Sequence, residues 1–161
     1  MFKKILIVLL VALVIIQFIH PGPNKSGGEQ PNFIGRSFPI PEDVKPILQK
    51  ACYDCHSNNT RYPWYSNIQP VDWWLTHHIK EGKAHLNFDE YTNRSLRYRY
   101  HKIEETIDQV KEHQMPLNSY TWIHKDAILT DVEKSKLIGW AQGILDTMEA
   151  HYPIDSLKRK K

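Results

Sequence analysis

The chain has 161 residues, 41% hydrophobic and 24% charged, with a formal charge of +3, which suits one small core rather than several domains. That excess is too modest to point to a nucleic-acid partner, and part of it lies in the tail Lys158-Arg159-Lys160-Lys161, which reads as solvated, with contact to anionic lipid or an acidic partner as the alternative. No internal repeat or long low-complexity segment is present.

At the N-terminus, Lys3 and Lys4 precede an apolar run from Ile5 to Ile19, broken only by Gln17 and ended by Pro21-Gly22-Pro23. The run is short for a span of about 20 residues. No small-x-small cleavage site follows directly, the nearest candidate being Ser26-Gly27-Gly28. Residues 1–20 are therefore expected to form an uncleaved signal anchor, a single-pass inner-membrane helix with the lysines in the cytoplasm and the domain on the periplasmic side. Export with a cleaved signal peptide is the alternative. No cysteine follows the run, which excludes a lipoprotein anchor. Residues 21–37 are expected as a linker, 38–152 as the domain and 153–161 as a basic tail.

Within the domain the spacing predicts helices. Val44–Tyr53 is the first, capped by Asp43, with Pro46 in its first turn and Val44, Ile47, Leu48, Ala51 and Cys52 on one face. Ser57–Pro70 reads as a loop. Val71–Glu81 follows, with Val71, Trp74, Leu75, His78 and Ile79 on one face and Gly82 as its stop. A third helix covers Leu96–His113, striped by Tyr100, Ile103, Ile107 and Val110, and Gln114–Tyr120 breaks it. Thr130-Asp131-Val132-Glu133 fits a capping box for the last helix, which buries Leu137, Trp140, Ala141, Ile144, Leu145 and Met148 and ends near His151. No segment keeps a period of two, so a sheet is not expected.

Both cysteines fall in the string Cys52-Tyr53-Asp54-Cys55-His56. Two thiols in C-x-x-C-H can each form a thioether to a haem vinyl group, and the histidine that follows is placed to ligate iron. The same residues could supply half of a zinc site, or a thioredoxin-like redox pair if a βαβ surround existed. A disulfide across two intervening residues is strained and stabilises little. Haem c is the favoured cofactor, with Cys52 and Cys55 as attachment points and His56 as proximal ligand.

For the distal ligand Met115 stands out, because Pro116 holds it out of the α region in a loop between two helices. His78, on the Trp74–Leu75 face, and His124 are its rivals, each of which also suits a hydrogen-bonded or outer role. Met148 belongs to the core face. His77, His85, His101, His113 and His151 show no feature above surface residues. The five tryptophans can either flank the porphyrin or serve as ordinary core.

Taken together, the apolar N-terminus, the helix ending in C-x-x-C-H, the Trp-Trp helix, the Met-Pro loop and the capped last helix resemble the bacterial haem-binding-domain family. These are small exported proteins, cytochrome c-like, common in Bacteroidetes-type genomes. The resemblance is carried by Cys52–Asn58, Asn67–Trp74, Glu81-Gly82-Lys83 with Leu86-Asn87-Phe88, Met115-Pro116-Leu117 with Tyr120, and His124, Ala127, Leu129-Thr130, Glu133 and Trp140. It runs from about Phe38 to Ala150. It implies covalent haem c with His56 proximal, and gives weaker support to Met115. Tyr91 stands near where the family often has Phe or Trp.

The expected fold is all-α, a small cytochrome c-like helical domain with long loops around a covalent haem, preceded by a membrane helix. The expected function is electron transfer by one haem c to an unidentified redox partner protein. With His56 and Met115 both bound, no position is left for a substrate, so no enzymatic role is expected. A haem-based sensor or ligand-binding module, with an open or displaceable sixth position, is the alternative.

Overall fold

The computed structural model describes residues 1–158; Arg159, Lys160 and Lys161 of the basic tail lie outside the described residues. Among the described residues there are eight α-helices and no strand. The helical class is observed; the membrane helix expected at its N-terminus is not. Helix α1, Phe2–Ile16, has 15 residues, or about 22 Å at about 1.5 Å each, against a hydrocarbon layer of about 30 Å. Among the described residues no helix is long and apolar enough to cross a membrane. This overturns the expected single-pass inner-membrane anchor.

The physical reason lies at Gln17, the one polar break in the apolar run. Its Nε2 donates to Leu13 O (3.0 Å) and Gln69 O (3.2 Å), and its Oε1 accepts from the Gln69 N–H (2.9 Å). Two residues on, Ile19 O accepts from Gln69 Nε2 (2.8 Å) and Trp73 Nε1 (2.9 Å). His20 Nδ1 lies 2.8 Å from Asp72 Oδ2. The chain therefore leaves the helix at Ile16 and runs on hydrogen-bonded to the start of another helix. None of α1's own side chains is buried.

The core is built by two long helices. Helix α5, Leu96–Lys111, buries Tyr100, Ile103, Ile107 and Val110 against α7, Asp131–His151, which buries Leu137, Trp140, Ala141, Ile144, Leu145 and Met148. Each such aliphatic side chain contributes about 1.5–3 kcal/mol by leaving water. Ile47 and Leu48 of α2, Lys45–Ala51, and Leu157 of α8, Ile154–Leu157, close the cluster. Ile34 is also fully buried, and its N–H donates to Phe88 O (2.8 Å). Tyr91 is fully buried and satisfied, donating to Arg99 O (3.0 Å).

Helix ends follow local chemistry in part. Ser95 caps α5 by accepting from the Tyr98 N–H (3.3 Å), and the chain turns away at His113, whose φ of 57° is left-handed. Asp43, expected to cap the first helix, instead pairs with Lys136 of α7 (3.0 Å); Val44 is the cap residue and makes no side-chain cap bond. The capping box forms as expected: Thr130 Oγ1 accepts from Glu133 N–H (3.2 Å) and Glu133 Oε2 accepts from Thr130 N–H (2.9 Å). Glu133 also pairs with Lys50 (2.6 Å), and chiefly that pairing holds its carboxyl below the ordinary value. A lowered carboxylate stabilises the fold above its unfolded pKa and loses that share as pH falls through the folded one. Thr130→Ala removes the Oγ1 bonds to the Glu133 N–H and, at 3.1 Å, to the Glu133 carboxylate, and should cost about 1 kcal/mol in chemical denaturation at neutral pH. The deficit should shrink in acid; an equal deficit at low pH would refute the electrostatic part.

Candidate functional site

Expected as one helix, Val44–Tyr53 is broken at the first thiol. Cys52 leaves helical geometry (φ −127°, ψ −47°), and a single turn, α3, runs Tyr53–His56. Cys52 O accepts from the N–H groups of Cys55 (3.2 Å) and His56 (3.0 Å), so the string is a closed turn. Facing it is α4, Val71–His85, which runs one turn past its expected stop. Gly82 lies inside α4 because the helix touches α3 there. A Cβ at this position would lie 2.7 Å from Cys55 O and 3.1 Å from Cys55 Cβ. The contact is to backbone, which cannot swing aside. Gly82→Ala should cost about 2 kcal/mol of stability by overpacking; an unchanged denaturation midpoint would sink this reading.

Between α3, α4, α5 and the segment after α5 lies a cavity of about 530 Å³, within the range of cofactor pockets. Cys52, Cys55, His56 and Met115 all line it, with Leu86, Phe88, Val110, Leu117 and Leu129 supplying apolar wall. Of the two sequence rivals, His78 lines the cavity as well. Its ring lies edge-on to Trp74 (4.4 Å between centroids, 84°), and its Nδ1 is 3.7 Å from Glu81. His124 is not among the lining residues: its Nε2 lies 2.6 Å from the Tyr65 hydroxyl and its ring stacks on Tyr120 (4.2 Å, 13°). Met148 is buried in the core. None of the five tryptophans lines the cavity; Trp64 and Trp122 are largely exposed, Trp73 and Trp74 partly so, and Trp140 is core, donating to Pro39 O (3.2 Å).

Sequence reading missed His85, which also lines the cavity. Its signal was its place seven residues after His78, the same helical face, hidden by taking Gly82 as a stop. It also missed Asp54 and Tyr120, both on the cavity wall.

The local electrostatics favour uncharged sulfur. Burial pushes the Cys52 thiol up to about 12, helped by Cys55, and Cys55 up to about 11, helped by Asp54. A redox pair needs a lowered pKa, and here both thiols move the other way. Among the described residues no group of three or more His, Cys, Asp or Glu side chains is arranged to hold a metal ion. A thioether carries no charge, so this wall accepts it without desolvation cost.

His56 is oriented by its own backbone surroundings. Nδ1 lies 2.9 Å from Leu86 O, an oxygen that can only accept, so Nδ1 carries the proton and Nε2 keeps its lone pair. Burial lowers the His56 pKa, against the raising effect of that carbonyl, and keeps the ring neutral as a ligand must be. Phe88 fixes the turn from the other side: its N–H donates to His56 O (2.9 Å) and its ring meets the imidazole edge-on. Asn58 N–H donates to Asp89 Oδ2 (2.7 Å), and Asn87 Nδ2 to Asn58 Oδ1 (2.8 Å), which pins the chain leaving the string. Met115 is held in the segment after α5, its N–H donating to Gln109 O (3.1 Å).

An all-helical domain with two neutral thiols, a neutral oriented imidazole and a thioether sulfur around one largely apolar cavity defines a haem protein. The chain belongs to the haem-binding domain family, whose model matches residues 11–143, and haem is what it binds. The match includes residues 21–37 as well as the helical core. No curated protein and no solved structure matches the chain.

Proposed function

We propose that this chain is a monohaem c-type protein that relays single electrons and catalyses no reaction of its own. Cys52 and Cys55 would hold the haem as thioethers, formed by adding each S–H across a vinyl group, sulfur to one carbon and hydrogen to the other, with no oxidant needed. His56 Nε2 and Met115 Sδ would hold its iron, His56 as the proximal ligand and Met115 as the distal one. When bound, the iron supplies reversible one-electron chemistry. The protein's residues orient it, hold the proximal imidazole neutral and keep the surroundings apolar. The observation that carries this reading is the convergence of both thiols, His56 and Met115 on one cavity. Its partner is a redox protein.

Haem retained by the purified holoprotein through acid–acetone extraction, with the α band of a haem with saturated attachment positions, is the expected result. Complete extraction would overturn covalent attachment. Prediction and rival separate on a second measurement: the relay form binds carbon monoxide slowly or not at all when ferrous, whereas a sensor with an open sixth position binds it at once.

A further inference from the structure

The attachment string carries a carboxylate that holding haem does not require. Asp54 lies between the two cysteines and is buried, so its oxygens need partners. Oδ1 accepts from the Arg61 N–H (3.1 Å) and Arg61 Nε (3.2 Å), and Oδ2 accepts from the Tyr120 hydroxyl (2.8 Å). Arg61 is anchored in turn by donating to Gln49 O (2.8 Å). Tyr120 belongs to α6, Asn118–Thr121, five residues beyond Met115. It lines the same cavity as Met115, Pro116 and Leu117.

From Tyr120 the contacts continue. Its ring stacks on His124, and His124 Nε2 is hydrogen-bonded to the Tyr65 hydroxyl at 2.6 Å. The backbone between is a tight turn, with Leu117 O accepting from the N–H groups of Tyr120 (3.0 Å) and Thr121 (3.1 Å). The segment carrying Met115 is thus tied to the attachment string through one phenol–carboxylate bond and braced behind by two rings. A hydrogen bond to a charged group is among the stronger ones in a fold.

On the reading that Met115 is the distal ligand, we propose that Asp54 and Tyr120 are positioning residues: their bond sets the reach of the Met115 segment across the cavity. The string that attaches the cofactor then also sets its sixth ligand. Neither residue touches iron; each acts through Met115.

The test uses the holoprotein with Tyr120→Phe, which removes one hydroxyl, and His124→Leu, which removes the brace and keeps the bond. Hydrogen exchange is read at the amides of Thr121, Trp122 and His124, and the sulfur-to-iron charge-transfer band at the red edge of the visible spectrum is read in the oxidised state. Tyr120→Phe should raise exchange at those amides about tenfold or more, leave Ile107 and Leu145 unchanged, and weaken the band. His124→Leu should act in the same direction and less. A band at full strength in both variants, or exchange rising equally in the α5–α7 core, overturns the proposal. If the unmutated protein lacks the band, Met115 is not the ligand and the underlying reading falls; if it has the band and Tyr120→Phe keeps it, the positioning role alone falls.

Discussion

Cys52→Ser with Cys55→Ser should abolish covalent haem, so that a haem stain of the denatured protein falls from full intensity to none. Serine is nearly isosteric with cysteine, but its hydroxyl does not add to a vinyl group under conditions where a thiol does. The double variant keeps the His56–Leu86 bond and the cavity wall, so it should still take up haem reversibly and release it to acid–acetone. Each single variant should keep one thioether and a reduced stain. Full covalent retention in the double variant would show that attachment lies elsewhere, which would remove the main support for a c-type assignment. Loss of uptake as well as attachment would instead mean that the thioethers, rather than the cavity, supply most of the affinity.

Met115→Ala should remove the sulfur-to-iron band and lower the reduction potential by on the order of 0.1 V, a fraction of the about 0.8 V that axial ligation spans. Thioether sulfur favours the ferrous state relative to imidazole, so losing it shifts the balance toward ferric iron whether the site stays open or a histidine moves in. Those two outcomes differ: an open site binds carbon monoxide rapidly, and a captured histidine gives a low-spin spectrum without the band. His78 and His85 both line the cavity and are the side chains placed to be captured. His78→Ala on its own should leave band and potential unchanged. If the unmutated protein lacks the band, and His78→Ala removes its low-spin spectrum while Met115→Ala does not, the distal assignment passes to His78.

The parts of this molecule that were legible without coordinates are those decided over one or two helical turns. The C-x-x-C-H string, the stripes of α5 and α7 and the Thr130–Glu133 box all depend on residues within four positions of one another. Spacing and side-chain chemistry specify them directly. Asp43 fails that pattern because a partner on α7, Lys136, competes for its carboxylate. Gly82 fails it because a glycine is informative only once its neighbour is known. As a helix stop it needs nothing nearby, and as a contact point it needs Cys55. With Gly82 misread, His85 fell off the helix and out of the site.

The N-terminal run shows the same limit on a larger scale. Hydropathy counts residues and found nearly enough for a span; it had no means of weighing Gln17, whose amide meets Gln69 far along the chain. By itself, then, the sequence determined haem as the cofactor and the helical character of the domain, because these rest on local spacing and periodicity. Only the tertiary structure decided where α1 ends, that α4 runs through Gly82, which histidines reach the cavity and that Asp54 meets Tyr120. Each of those depends on contacts between segments distant in sequence, and such contacts form only when the chain closes around its core.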